Sequence, residues 1–320
     1  MLKKIIATLG LAIMASTAAA QSAYPERPIR FVVPYPPGGF TDILARTLSP
    51  RMSETLGQPL VVENRGGGGS TIGTDIVAKA APDGYTILLV APDVAINESL
   101  LDKLPYGATD DFRAVGLAAY SPLVMVAHPN LGVDTVQELV ALAREKPGEL
   151  NYASGGNGTG AHLSTELFKT QLDLDILHIP FKGNGPALNA LLSGEVPLML
   201  QQVAVAAPHI QAGKIKALAM PGKDRTAILP DVPTLSETVL PGFDSRPWFG
   251  VLAPKATPDA VVERLNEALT QALNDSEVKQ QLAQRGAEAS PSSPAEFDAF
   301  IAAEIPRWAA VVEASGAKVD

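Results

Sequence analysis

Two glycine-rich junctions, each wedged between an apolar strand-like run and a helix-like one, constrain this chain more than any other feature. The first is Val33-Pro34-Tyr35-Pro36-Pro37-Gly38-Gly39-Phe40-Thr41-Asp42, which follows Ile29–Val33. The second is Ser154-Gly155-Gly156-Asn157-Gly158-Thr159-Gly160-Ala161-His162, which follows a run at 150–153. About 115 residues separate them, roughly a domain's length. Short β-branched runs alternate with longer helix-like segments on either side. Strands are expected near 29–33, 60–63, 85–90, 123–127, 150–153, 176–179, 196–200 and 215–219. Helices are expected near 41–56, 70–80, 135–145, 161–170, 186–193, 204–212, 258–274, 277–285 and 294–314. Thr41, Thr135 with Glu138, Thr257, and Ser293 with Glu296 read as their caps, and Pro50 as a kink. Such alternation predicts an α/β fold of parallel sheets wrapped by helices. Sheets of this kind bind ligands outside the carboxyl ends of their strands. The expectation is two α/β domains, each offering one glycine-rich loop to a shared cleft.

Neither loop contains lysine or arginine. Glycine lets a ligand approach the backbone, and a helix N-terminus carries unpaired N–H groups and the positive end of its dipole. Together these make an anion site that needs no basic side chain. Ordinary connections with good turn chemistry are the plainer alternative. Gly156–Ala161 also fits the G-x-G-x-x-G/A pattern of dinucleotide enzymes, with Asp175 about where a ribose-binding acid would stand. A third glycine run, Gly66–Gly69, reads equally as a cleft-side loop or a flexible connection. His162 lies in the first turn of its helix, where the dipole would lower its pKa. Ser154 with His162 lacks the third orienting group of a nucleophilic triad.

The formal net charge is −9, which leaves no basic surplus for a nucleic-acid partner. Cysteine is absent, which excludes disulfides and thiolate chemistry, and the four histidines show no helical metal-site spacing. No metal or cofactor is expected. Residues 1–20 combine Lys3-Lys4, an apolar run and Ala18-Ala19-Ala20, the pattern of a cleaved secretory signal peptide.

Several stretches carry a family resemblance. They are YPERPIRFVVPYPPGGFTDILAR at 24–46, VVENRGGGGSTIGTDIVAKAAPDGYTILL at 61–89 and NYASGGNGTGAHLSTELF at 151–168. HIPFKGNGPALNALLSGEVPLML at 178–200, PHIQAGKIKALAM at 208–220 and WFGVLAP at 248–254 continue it. This chain resembles the Bug family, the substrate-binding proteins of tripartite tricarboxylate transporters. The resemblance implies a two-lobed periplasmic binding protein of type II-like fold, with a mainly parallel sheet in each lobe and two crossover strands. Residues 24–122 with 247–320 would form domain 1, and 123–246 domain 2. The crossings would fall near 118–124 and 244–250, with the C-terminal helices returning to the first lobe.

The implied activity is binding rather than catalysis. A small organic carboxylate would be pinched between Tyr35, Pro36, Pro37, Gly38, Gly39, Phe40, Thr41 and Asp42 on one lobe and Ser154, Gly155, Asn157, Gly158, Thr159 and His162 on the other. Delivery to two membrane transporter subunits follows, by a monomer in the periplasm. An exported protein of the same fold that serves a sensor, or an exported dinucleotide enzyme, is the alternative. Two departures from the family pattern matter. Leu200-Gln201-Gln202 stands where relatives often read Phe-Asp-Asn. An amide at Gln201 can donate to a second carboxylate, which favours mono- or dicarboxylates over amino acids. Phe40 replaces a commonly smaller residue, and it or Phe181 could pack on a ligand's carbon body, although core packing suits Phe181 better.

Overall fold

Runs of β-branched and apolar residues too short for helices form the strands. In the computed structural model, which describes residues 24–181 and 183–317, Thr86–Val90 and Leu123–Ala127 are buried at every position. Such strands have no solvent face, so helices must cover both sides of their sheets. The leader expected at 1–20 lies outside the described residues. No helix among the described residues is long and apolar enough to cross a membrane.

The chain begins β1 (Ile29–Val33), α1 (Phe40–Leu56), β2 (Leu60–Asn64), α2 (Thr71–Ala78), β3 (Thr86–Val90), α3 (Asp93–Leu100) and β4 (Phe112–Tyr120). It then runs through β5 (Leu123–Ala127), α4 (Val136–Glu145), β6 (Leu150–Ser154), α5 (Gly160–Leu172), β7 (Ile176–Pro180) and α6 (Asn184–Ser193). Next come β8 (Leu198–Gln202), α7 (Val203–Gln211), β9 (Lys216–Ala219) and α8 (Leu235–Thr238). It ends with β10 (Trp248–Pro254), α9 (Asp259–Asn274), α10 (Ser276–Ala283), β11 (Glu288–Ala289) and α11 (Pro294–Ser315).

Two sheets result, ordered β2–β1–β3–β10–β4–β11 and β7–β6–β8–β5–β9. In each, three parallel strands are followed by one antiparallel strand, β10 or β5. Both antiparallel strands are the first laid down after the chain passes from one sheet to the other, so the two sheets are built on one plan.

Most of the expected elements form, with informative differences at their ends. Gly39, not Thr41, occupies the N-cap of α1, and Asp42 accepts the Gly38 N–H instead at 2.9 Å. Pro50 lies inside α1, which continues to Leu56 and closes on Gly57 at φ 73°. Glycine tolerates that left-handed conformation without a Cβ clash. The capping boxes Thr135/Glu138 and Ser293/Glu296 both form. Thr257 does not cap α9; Pro258 takes that position, and the Thr257 hydroxyl is buried without a partner among the described residues.

The C-terminal helix does more than return to the first sheet. Phe297 and Ile301 pack with Leu88, Val90 and Leu252 of that sheet. Further along α11, Trp308, Val311 and Val312 join Leu163, Leu167 and Phe168 in the core of the second. Ala95, Ile96 and Leu100 of α3 belong to that same second core. The apolar packing is therefore continuous from one sheet to the other through α3 and α11.

Candidate functional site

The carboxyl ends of β1, β2, β3, β6 and β8 open onto one cavity of about 470 Å³. One wall is made of Tyr35 and Pro36 after β1, Gly67–Ser70 after β2, and Ala91, Pro92, Asp93 and Asn97 after β3. The other carries Asn157, Gly158, Thr159, Gly160 and Ala161, with Asn184, Gln201 and Gln202. The first turns of α2, α3, α5, α6 and α7 all start from these segments. Each brings the positive end of a dipole, although Thr71, Ile72, Val94, Ala95 and Val203 spend their N–H groups on neighbouring backbone carbonyls. No lysine or arginine lines the cavity, and Asp93 is the charged side chain on its wall among the described residues.

The second glycine loop is wound on its own hydrogen bonds. Thr159 caps α5 by accepting the His162 N–H at 3.3 Å and donates its hydroxyl to the Gly156 carbonyl at 2.9 Å. Gly156 donates to the Ser154 hydroxyl. Gly158, expected to offer its N–H to a ligand, gives it to His162 Nδ1 at 3.1 Å. The N–H groups of Gly160 and Ala161, both on the cavity wall, find no partner among the described residues. Gly155 is set back from the wall and leaves room for Asn184, whose side-chain oxygen would collide with any Cβ there.

Ser154 and His162 lie beneath this loop, off the cavity wall. Ser154 is fully buried, and its hydroxyl is 2.6 Å from His178 Nε2, not from His162. The two imidazoles stack at 4.0 Å, and His178 stacks on Tyr152 at 4.9 Å. The Tyr152 hydroxyl donates to Glu166, which pairs with Lys169. Burial pushes both histidines down to about 4, aided at His162 by the Lys169 charge and at His178 by His162 itself. The direction at His162 is the expected one, with burial its largest cause. The unfolded chain binds protons on these rings near 6.5, the folded chain only near 4, so acid in that window favours unfolding. The melting temperature should therefore fall as pH drops from 6.5 to 4, and fall less in His178→Gln. Superimposable pH profiles would show that the pair does not titrate.

The first glycine loop divides. Tyr35 and Pro36 reach the cavity, whereas Pro37, Gly38 and Gly39 are exposed off its wall and Thr41 and Asp42 are buried beneath it. Asp42 is held by the Gly38 N–H and by Arg46, each at 2.9 Å. Phe40 packs on Phe249, with ring centroids 4.7 Å apart, and Phe249 is the ring that lines the cavity. Phe181 packs at the margin of the apolar cluster around Leu188 and Leu191 and is off the wall. Gln201 is on the wall, 2% exposed, with its side-chain oxygen taking the Gln202 N–H at 2.8 Å.

The remainder of the first wall comes from the third glycine run, which is cleft-side. It fits because Gly73 lets α2 close onto the end of β1. A Cβ there would sit 2.5 Å from the Arg65 carbonyl oxygen and 2.7 Å from Pro34 Cα. Asn97 holds the run by donating to the Gly69 carbonyl at 3.0 Å. Asp93 and Asn97 escaped the sequence reading because α3, an eight-residue helix containing Val94 and Ile96, has little helical signature. The available signal was Pro92-Asp93, a proline and an acid placed straight after an all-apolar strand, as at many helix starts. The dinucleotide reading fails on position: Asp175 precedes β7, at the opposite end of the sheet from the loop that follows β6.

This geometry agrees with what the chain is similar to. The model of the tripartite tricarboxylate transporter family receptor, TctC, matches residues 44–317. BugT of Bordetella pertussis is 41% identical over 321 residues, spanning 99% of this chain and 98% of BugT. The R. palustris protein Rpa4515, solved with adipate, is 35% identical with a TM-score of 0.79, over 92% of this chain and 99% of that one. MatC from Rhodopseudomonas palustris with bound malate is 35% identical with a TM-score of 0.76, over 90% of this chain and 100% of that one. The chain belongs to the TctC, or Bug, family of solute-binding receptors, and its two sheets are the lobes of their type II-like periplasmic binding-protein fold.

Proposed function

We propose that this protein captures a small organic mono- or dicarboxylate in the cavity between its lobes and delivers it, in the periplasm, to a tripartite tricarboxylate-type transporter of two membrane subunits. The observation that carries the reading is a cavity lined by the first turns of five helices and, among the described residues, by no lysine or arginine. An anion there is held by backbone dipoles, at small entropic cost where ordered waters bridge. The acids held by two relatives of solved structure, adipate and malate, support the class. Gln201 would present its amide to a second acid group across from the Gly160 and Ala161 donors. The segments 24–122 with 247–320 and 123–246 would move as two bodies about the crossings, and closure would create the surface the membrane subunits read.

A melting-temperature screen of dialysed protein against C3–C6 mono- and dicarboxylates tests this. Binding of one acid at about a hundred times its Kd stabilises the folded state by about 2.7 kcal/mol. A panel with no stabilising acid, from protein shown to be free of co-purified ligand, would overturn the reading. Retention of acid uptake in cells lacking the protein would overturn the delivery role alone.

A further inference from the structure

Asp93 is the odd member of this cavity. Every other polar side chain on the wall among the described residues is an amide or a hydroxyl, which can donate as well as accept. An ionised carboxylate only accepts, at about four lone-pair positions. Asp93 opens α3 and is partly exposed to the cavity. The Tyr35 hydroxyl donates to its Oδ1, and the Ser70 hydroxyl also supports it. Asn97, one turn on, is already committed to the Gly69 carbonyl. The titratable neighbours are the hydroxyls of Tyr35 and Tyr106, and among the described residues no cationic side chain lines the wall to neutralise it. Its own backbone N–H takes a third position, which leaves about one acceptor position on a residue that lines the space where a bound solute would lie.

Resting on the capture proposed above, we infer that Asp93 makes the site selective for carboxylates that also carry a hydrogen-bond donor, a hydroxyl or an ammonium, over bare acids of the same length. A solute donor completes the carboxylate's shell. A bare acid strips water from it and returns nothing, and a site built to receive a donor rejects analogues lacking one. The ammonium arm adds charge pairing, and the hydroxyl arm does not, so the two donors are separable. Burial raises the Asp93 pKa to about 6. Above that pH the group is an acceptor; below it, the group carries a proton and the preference should shrink.

The test is calorimetry at pH 7.5 and pH 5 on ligand-free protein, with succinate, malate and aspartate as one length-matched set and adipate, 2-hydroxyadipate and 2-aminoadipate as the other. In the set that binds, one donor-bearing acid should bind about tenfold or more tightly than the bare acid at pH 7.5. Asp93→Ala should collapse that ratio and strengthen binding of the bare acid, because a like charge is removed. Asp93→Asn guards against misfolding: it should retain part of a hydroxyl preference and lose an ammonium one. Equal affinities within the binding set, or a ratio unchanged in both variants, would overturn this inference and leave capture standing. Failure of all six acids to bind would strike capture itself, and this inference with it.

Discussion

Glu304→Ala should lower the unfolding free energy by about 3–5 kcal/mol, the cost of removing one partner from a buried charged network. The Glu304 side chain is 5% exposed. Its Oε2 accepts the indole N–H of Trp248 at 3.0 Å and of Trp308 at 2.8 Å, while Oε1 takes Arg307 at 2.6 Å. Both indoles are buried, so alanine would leave two N–H donors without their protein acceptor, at about 1–3 kcal/mol each. Arg307 is a third exposed and can turn to solvent, so it adds less. Glu304→Gln keeps an oxygen for the indoles and should cost about 1–2 kcal/mol. Urea unfolding midpoints of the two variants check this; an alanine variant within about 0.5 kcal/mol of wild type would show the acceptor to be dispensable.

The same carboxylate matters for the cavity. Trp248 opens β10 directly after the return crossing, and its neighbour Pro247 lines the cavity. Successive side chains of an extended segment point to opposite sides. Glu304 therefore clamps the crossing from behind while Pro247 faces the cavity. Arg307 extends the clamp to the Asp244 carbonyl, two residues before Arg246. Since α11 also plants Trp308 in the second core, losing Glu304 should loosen both lobes together.

How much of this was written in the sequence depended on the range of the interaction involved. The two loops could be placed at strand ends and helix starts because glycine, proline and cap residues act over a few positions. The Thr135 and Ser293 capping boxes were legible for the same reason. Which loop amides stay free was not legible. Gly38 and Gly158 each spend their N–H on a side chain four residues later, Asp42 or His162, and only the folded loop decides that competition. Nor does periodicity say what a helix face packs against: α11 shows one apolar stripe in sequence, yet its two halves serve different cores. Asp93 stayed hidden because its helix is short and its partner, Tyr35, is 58 residues distant in the chain.

That distinction between free and spent amides gives a sharp test of backbone capture, at Gly160. Gly158 is unsuitable, since φ 74° is closed to proline and its N–H is already used. Gly160 is the first residue of α5, where proline is favoured and the missing N–H costs the helix nothing. Thr159 before it is extended, at φ −67° and ψ 152°, as a residue preceding proline must be. A Cβ at Gly160 meets nothing within 4 Å. Gly160→Pro should thus fold normally and lose one donor to the carboxylate. A hydrogen bond to a charged group is worth about 1.5–3 kcal/mol, so affinity should fall by about 10–150-fold. Gly160→Ala keeps the N–H; it should bind like wild type and melt slightly higher, because alanine costs less chain entropy in a helix than glycine. Calorimetry on both variants, with the tightest acid from the screen, decides the matter. A proline variant that binds like wild type would mean that this amide does not hold the ligand. An alanine variant as weak as the proline one would mean that bulk at the helix start, and not the missing donor, causes the loss.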